Sequence, residues 1–210
     1  MPADLALSEI IVAALLGYAF GAIPFGLVIT RLAGLGDIRS IGSGNIGATN
    51  VLRTGRKDLA LATLLLDGGK GAIAVVLVRL IADGPGAEAL ALIAGLGAVI
   101  GHNFPVWLKF KGGKGVATTF GLIIAAVPLV GLMSTTAWLA IAVIYRYSSL
   151  AALIALAVAP LYAAMLGYPT HALVFLVLAV MGWVRHHANI VRLVKGTEPK
   201  IGGKKDAAAA

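Results

Sequence analysis

Long apolar runs, separated by short polar segments, dominate the pattern along the chain. The first run, from Ile10 to Thr30, holds 21 residues without a charge, and about 20 apolar residues suffice for a helix to cross a bilayer. Later runs predict further spans at Leu59–Ile81, Ala89–Leu108, two within Gly115–Tyr145, Ser149–Leu166 and His171–Val184. The pattern therefore predicts an all-α integral membrane protein.

The stretch Gly115–Tyr145 decides the number of crossings. Its 31 uncharged residues are too many for one comfortable span and few for two, and Pro128 near the middle favours a break. Two spans give seven crossings, which bring all of the 17 Lys and Arg residues except Lys70 and Arg79 to one side. Six crossings leave the basic tail outside, against the positive-inside rule. We therefore predict seven transmembrane helices, with the N-terminus outside and the C-terminus in the cytoplasm.

Composition narrows the class of protein further. Hydrophobic residue types make up 60% of the chain and charged types only 12%, and there is no cysteine. These values exclude an ordinary soluble enzyme, a disordered chain and a disulfide-stabilised secreted domain. The net charge of +8 would indicate nucleic acid in a soluble protein, but the predicted topology explains it here, so no nucleic-acid partner is expected. The spans predict one domain over 1–201, followed by a flexible tail over 202–210.

Three polar segments, at 41–53, 101–118 and 185–192, are rich in glycine, asparagine, histidine and basic residues, and seven crossings place all three on the cytoplasmic face. In the first, glycines leave backbone N–H groups free for an anion, and neutral and cationic side chains add donors. These residues are Gly42, Ser43, Gly44, Asn45, Thr49, Asn50 and Arg53. A short helix beginning at Asn45 would strengthen the anion site, whereas the alternative is a capped glycine-rich turn.

The other two segments add cations and histidines. The second contributes a histidine and three lysines beside a pair of glycines, without Walker A spacing: His102, Lys109, Lys111 and Lys114. The third contributes three residues that share one face if the segment is helical: His186, Asn189 and Arg192. Each feature alone also fits a topology signal or a basic juxtamembrane helix. Together on one face, they predict a site for a substrate that carries phosphate.

Two opposite charges lie inside the second predicted span. Asp67 and Lys70 are three residues apart, and ionisable groups at membrane depth usually face a polar interior or one another. We predict a structural ion pair, because a lysine held by an aspartate is less available to a substrate. A direct role in substrate binding is the alternative.

The catalytic motifs and metal-ligand patterns that are absent from the polar segments limit the classes of reaction that the protein could catalyse. The nearby carboxylates, Asp37, Asp58 and Glu198, form no pair with metal-ligand spacing, so we expect neither a metal nor another cofactor. The Gly-x-Ser-x-Gly elbow of serine hydrolases and the His-x4-Asp signature of thioester-using acyltransferases are both absent. Such a site suits a donor that is already activated. An acyl phosphate fits, because its phosphate leaves as a stable anion.

The same segments resemble the motifs of the bacterial membrane glycerol-3-phosphate acyltransferases that use acyl phosphate, the PlsY family. The matching stretches are 42–53, 101–105, 109–118 and 185–198, together with Asp67-x-x-Lys70-Gly71. The resemblance implies transfer of a fatty acyl group from acyl phosphate to sn-glycerol 3-phosphate. The products would be lysophosphatidic acid and phosphate, in the first step of phospholipid biosynthesis. It also implies the bacterial inner membrane and a site facing the cytoplasm.

Residue roles follow from this resemblance. It implies an essential polar cluster of Ser43, Arg53, Lys109, His186 and Asn189. Supporting contacts would come from Thr49, Asn50, His102, Lys111 and Lys114. We assign catalysis to Ser43, His186 and Asn189, and substrate binding to the remaining residues of both sets with Gly42, Gly44, Asn45 and Arg192.

The motifs leave two questions open. They do not say whether His186 or a substrate phosphate accepts the hydroxyl proton. The function class also has alternatives, namely a small-anion transporter, whose binding groups should lie near the membrane midplane, and a non-catalytic lipid-binding scaffold. Beside the two substrates, the expected partners are membrane lipids, and the protein is expected to be a monomer.

Overall fold

The computed structural model describes residues 5–202, and this part of the chain is helical, with no strand. Ten α-helices follow one another, with short 3-10 turns at Ile38–Ser40 and Val106–Leu108. The helices are α1 (Leu7–Gly21), α2 (Phe25–Leu32), α3 (Ala48–Leu52), α4 (Lys57–Ile81), α5 (Ala87–Asn103), α6 (Val116–Ala126), α7 (Pro128–Tyr145), α8 (Ser148–Met165), α9 (Pro169–Arg185) and α10 (His187–Val194). The predicted tail lies outside the described residues from position 203 onward, and so does the N-terminus up to position 4.

The first apolar run forms two helices rather than the single helix that its length predicts. The chain breaks between α1 and α2 at Pro24, which has no N–H to continue the helical hydrogen bonds. Two side chains bind the carbonyl groups beside the break. The Trp107 indole N–H donates to Ala22 O at 2.5 Å, and the Lys70 ammonium donates to Ile23 O at 2.9 Å. The two helices together remain a unit of 26 residues, long enough to cross a membrane.

The long uncharged stretch is divided at the predicted proline. α6 ends at Ala126, and α7 begins with Pro128. Pro suits the first position of a helix, where its missing N–H has no partner to lose. α6 has only 11 residues, about 16 Å, and is therefore shorter than the hydrocarbon core. The Arg79 guanidinium of α4 donates to the carbonyls of Ala125 and Ala126 and pairs with Glu88 at 2.6 Å. Arg79 therefore supplies hydrogen-bond donors to two carbonyl groups at the end of α6, where the helix itself offers no further N–H partner.

Among the described residues, five helical units are long and apolar enough to cross a membrane: 7–32, 57–81, 87–108, 128–145 and 148–165. The pair α9 and α10, bent by 63°, makes a sixth if it is one span. An all-helical protein with five or six apolar spans is therefore confirmed. A seventh crossing requires α6, and it depends on the charge distribution rather than on helix length.

α5 lies at the centre of the bundle. It packs against α1, α4, α6 and α9, and a larger part of it is buried than of the other spans. Small residues allow the close approach of the helices: a Cβ at Gly17 would lie 1.8 Å from Ala94 O, and a Cβ at Gly121 would lie 1.8 Å from Gly68 O. Small residues at helix interfaces are typical of helix packing in lipid. The packing brings the α2–α4 loop, the α5–α6 loop and the α9–α10 bend to one end of the bundle.

Candidate active site

The loop between α2 and α4 is organised around the buried side chain of Asn50. Its amide group donates to the carbonyls of Ile38 at 2.7 Å and Asn45 at 2.8 Å. Its side-chain oxygen accepts from the Ser43 N–H at 3.1 Å and from Arg53 Nη1 at 3.3 Å. Asn50 therefore holds Ser43 and Arg53 side by side, and its own polar atoms are occupied within the loop.

The local conformation of this loop differs from the sequence prediction at one point. The short helix begins at Ala48, not at Asn45, whose side-chain oxygen instead accepts from the following backbone N–H at 2.9 Å and so stabilises a turn. Gly42 and Gly44 have positive φ values of 57° and 68°. A Cβ at Gly42 would lie 2.7 Å from Arg53 Nη1, so a side chain there would displace the guanidinium.

The loop between α5 and α6 is held from two sides. The N–H groups of Gly112 and Gly113 donate to the carbonyls of Asn103 and His102, at 3.2 and 3.0 Å. From the other side, the guanidinium of Arg185 donates to the carbonyls of both glycines, at 2.8 to 3.2 Å. The two glycines therefore link the end of α5 to the end of α9.

The structure brings only one of the three predicted lysines to the other segments. The Lys114 ammonium, directly after the held glycines, contacts the side-chain oxygen of Asn189 in α10. Lys109 and Lys111 are exposed, and within residues 5–202 their side chains have no hydrogen bond or ion pair. A direct substrate contact from these two lysines stays a prediction.

The bend between α9 and α10 positions His186. Its ring is 3% exposed, and Nδ1 lies 2.7 Å from the carbonyl of Gly182, one turn earlier. Because a carbonyl only accepts, Nδ1 carries the hydrogen, and in the neutral ring Nε2 carries the lone pair. Asn189 is buried one turn later, whereas the neighbouring His187 is exposed. The sharing of one face by His186 and Asn189 follows the predicted spacing.

A buried carboxylate joins the third segment to α8. Glu198 accepts from Asn189 Nδ2 and Ser149 Oγ, each at 2.6 Å, and from Arg192 Nε at 2.7 Å. Sequence reasoning named Glu198 only as a nearby carboxylate, and it missed Ser149 entirely. A signal for Glu198 does exist, because the 109 residues between Glu88 and Glu198 contain neither Asp nor Glu.

Positive charge exceeds negative charge at this end of the bundle. The Lys114 ammonium lies within electrostatic range of three other cations, Arg53, Arg185 and Arg192, and of a single carboxylate, that of Glu198. Among residues 5–202, there is no group of three or more His, Asp or Glu side chains that could hold a metal ion. Guanidinium, ammonium and amide donors instead suit an anionic ligand.

The environment shifts the pKa of several of these groups. Burial, against the attraction of Glu198, lowers the pKa of Lys114 to about 8. Burial works to raise the pKa of Glu198, but its three hydrogen bonds outweigh burial and hold the pKa below the usual range. His186 lies beyond the last residue of α9, and burial followed by the charge of Lys114 lowers its pKa to about 4. At neutral pH, Glu198 is therefore ionised and His186 is neutral.

Two predicted site residues, His102 and Thr49, form their hydrogen bonds outside the cluster around Lys114 and Glu198. His102 Nδ1 lies 2.8 Å from the Lys70 ammonium, which pairs with Asp67 at 2.8 Å, so His102 belongs to a buried triad in the bundle. The Thr49 hydroxyl lies 3.1 Å from the hydroxyl of Ser148, at the start of α8. The predicted pair of Asp67 and Lys70 is thus formed, with His102 as a third member. Substrate contacts from His102 and Thr49 stay predictions.

Comparison with known proteins relates this arrangement to a family. Residues 11–196 match the sequence profile described as glycerol-3-phosphate acyltransferase. The chain belongs to this family. A glycerol-3-phosphate acyltransferase of Rhodospirillum rubrum is 62% identical over 201 residues, which are 94% of this chain and 93% of the relative. One of Paramagnetospirillum magneticum is 64% identical over 197 residues, 94% of this chain and 96% of that relative.

The fold is also shared with solved members of the family. Two crystal structures of PlsY (YgiH), described as an integral membrane glycerol 3-phosphate acyltransferase, superpose with TM-scores of 0.85 and 0.83. They are 37% and 36% identical in sequence, and the match covers 91% of this chain and 94% of theirs. One is a glycerol 3-phosphate form and the other a lysophosphatidic acid form. The family match confirms the resemblance found in the sequence.

Proposed function

We propose that this protein transfers a fatty acyl group from acyl phosphate to sn-glycerol 3-phosphate, producing lysophosphatidic acid and phosphate. Relatives across nearly the whole chain are named for acyl transfer to glycerol 3-phosphate, and a similar structure is a glycerol 3-phosphate form. The observation that carries the proposal is the cluster of four cations beside His186 and Asn189. Its surplus of positive charge suits two substrates that each carry a phosphate.

Arg53 and Lys114 are the proposed phosphate ligands. They approach from different loops, Arg53 beside Ser43 and Lys114 beside Asn189. A guanidinium offers a planar fork for phosphate oxygens, and an ammonium offers a compact charge. Arg192 is held by Glu198 and contributes to the field of the site. Neutralising both phosphates lets two anions approach each other and react.

The reaction needs one nucleophile and no metal. The glycerol hydroxyl oxygen attacks the acyl carbonyl carbon and forms the new ester C–O bond. The bond between that carbon and the phosphate oxygen then breaks, and the electron pair leaves with phosphate. The side chains of Ser43 and Asn189 are the proposed donors to the carbonyl oxygen and the phosphates as charge develops on them.

We propose that a substrate phosphate oxygen, rather than His186, takes the hydroxyl proton. A histidine with a pKa of about 4 is a weaker base than a phosphate monoester, whose second pKa is about 6. The hydrogen bond from Nδ1 to Gly182 leaves Nε2 to accept the hydrogen bond of the attacking hydroxyl. His186 therefore orients the nucleophile.

The proposal includes the position of the protein in the cell. It is a single domain over 1–201 that crosses the bacterial inner membrane seven times, with the N-terminus outside, and that works as a monomer. Its site faces the cytoplasm. Support comes from the distribution of basic residues, which seven crossings bring almost entirely to one side.

The test is an assay of purified protein in nanodiscs with acyl phosphate and glycerol 3-phosphate, in which phosphate release and lysophosphatidic acid are both measured. We expect release that requires both substrates and no added metal, with little activity when an acyl thioester replaces acyl phosphate. His186→Ala serves as the impaired control. Equal rates with the thioester would contradict the proposed donor, and absence of lysophosphatidic acid would contradict acyl transfer.

A further inference from the structure

The guanidinium of Arg185 binds the backbone of the α5–α6 loop through three hydrogen bonds. Its Nε donates to Gly113 O at 3.1 Å, and its Nη2 donates to Gly113 O at 2.8 Å and to Gly112 O at 3.2 Å. The guanidinium carbon lies 5.1 Å from the centre of the Phe104 ring. Nε and Nη2 are therefore committed to the loop, on a side chain that ends α9 next to His186.

The two glycines that Arg185 holds come directly before Lys114. On their other side, their N–H groups are bound by the carbonyls of His102 and Asn103. The loop therefore has little freedom to rotate its peptide planes. Because α9 supplies Arg185 and also leads into the His186 bend, one helix end controls both the loop and the catalytic histidine.

The orientation of the peptide between Gly113 and Lys114 has a chemical consequence. In a trans peptide, the carbonyl and the following N–H point in opposite directions. With the Gly113 carbonyl on Arg185, the Lys114 N–H points away from the guanidinium, and among the described residues no backbone or side-chain group accepts from it. If this peptide turned over, a carbonyl dipole would replace an N–H at the place where an anion is expected.

We propose that Arg185 is a positioning residue for acyl transfer, which holds the Gly112–Gly113 carbonyls out of the phosphate site and thereby sets Lys114 and its N–H toward glycerol 3-phosphate. The proposal rests on the proposed function, because it deepens the role of the same site. Arginine suits the task better than lysine, since its fork reaches two carbonyls in a fixed plane. A direct phosphate ligand would instead use its donors on the substrate.

The test compares Arg185→Gln and Arg185→Lys with Lys195→Gln, which removes the same charge from an exposed residue after α10. Two readouts are needed: steady-state kinetics, and hydrogen exchange of peptides covering 109–117 in the substrate-free protein. We expect Arg185→Gln to raise KM for glycerol 3-phosphate about tenfold or more with a smaller change in kcat. Arg185→Lys should lie between, and Lys195→Gln should match the wild type. Exchange over 109–117 should be faster in both Arg185 variants, with α4 and α8 unchanged.

Unchanged exchange over 109–117 together with a raised KM would overturn the proposal, because it would make Arg185 a direct ligand. A wild-type KM in Arg185→Gln would overturn it too, as would faster exchange throughout the protein in Arg185→Lys. If Arg185→Gln does not fold, Arg185→Lys carries the same test. An inactive wild-type protein would contradict the proposed function alone, since the exchange experiment on the loop does not depend on activity.

Discussion

Two ionic clusters of the protein differ in their balance of charge, and the more deeply buried one is the triad inside the bundle. In the triad within the bundle, Asp67, Lys70 and His102 are each less than 6% exposed, and one lysine faces one aspartate. In the cluster at the end of the bundle, Lys114 lies near three other cations, Arg53, Arg185 and Arg192, and near one carboxylate, that of Glu198. The formal charges of Lys70 and Asp67 in the first cluster cancel, whereas the second cluster has a net positive charge.

This difference separates structure from function. The Lys70 ammonium pairs with the Asp67 carboxylate at 2.8 Å and donates to the Ile23 carbonyl beside the α1–α2 break. These contacts join α4 to the end of α1, and we interpret the triad as structural. The surplus charge around Glu198 is costly in an empty site, because like charges repel. An anionic ligand would relieve that cost. Balance of charge therefore indicates a structural cluster, and imbalance indicates a binding site.

The largest effect is expected from breaking the balanced triad. Lys70→Met leaves Asp67 buried without its partner, which costs about 3–5 kcal/mol of unfolding free energy. Thermal unfolding in detergent should show a clear fall in Tm. The double variant Asp67→Leu with Lys70→Met should recover part of the loss, because it removes both charges together.

The control for this experiment is Lys195→Met, the same substitution at an exposed lysine, for which a change within about 0.5 kcal/mol is expected. If Lys70→Met left the Tm unchanged but abolished glycerol 3-phosphate binding, the triad would be part of the site and the comparison would fail.

The two clusters also differ in how far the sequence predicts them. Asp67 and Lys70 are three residues apart on one helix, so their pairing follows from local geometry. Membership of His102 does not follow, because it depends on how α5 packs against α4. At the other cluster, motif spacing identified Ser43, Arg53, Lys114, His186 and Asn189 as candidates.

The parts of the site that the sequence could not reveal depend on tertiary structure. Ser149 meets Glu198 only because the chain after α10 returns to the start of α8. Sequence reasoning gave Arg185 no individual role, because its hydrogen bonds to the Gly112 and Gly113 carbonyls form only where the end of α9 packs beside the α5–α6 loop. Pro24 lies within the run of 21 uncharged residues from Ile10 to Thr30. The length of that run predicts one continuous helix, so the break at Pro24 was not predicted.

The pH dependence of binding sharpens the comparison. Lys114 is charged below its pKa of about 8 and loses its proton as the pH rises through that value, whereas an ordinary lysine stays charged to about 10.4. We expect kcat/KM for glycerol 3-phosphate to fall about tenfold for each pH unit above 8. Lys114→Arg should remove this limb, because arginine stays protonated. A flat wild-type profile up to pH 9.5 would contradict the assignment of Lys114.

A smaller effect is expected at His186. Asn retains a hydrogen-bonding group but cannot hold a proton, so His186→Asn should lose less than about tenfold in kcat if the histidine only orients the hydroxyl. A general base is typically worth about 10²–10⁴-fold. Kinetics of His186→Asn and His186→Ala across pH 5–8 distinguish the roles. A loss on the larger scale in His186→Asn, with substrate binding intact, would make His186 the base.

The most direct measurement is the affinity for glycerol 3-phosphate, by isothermal titration in nanodiscs, of three variants beside the wild type. Lys114→Gln removes a cation from the unbalanced cluster, Asp67→Leu with Lys70→Met removes the balanced pair, and Lys195→Gln removes a charge from the surface. We expect Lys114→Gln to raise Kd about tenfold or more, and the other two to stay within about twofold of the wild type. A Kd raised as much by the double variant as by Lys114→Gln, or one unchanged in Lys114→Gln, would contradict the assignment of binding to the unbalanced cluster.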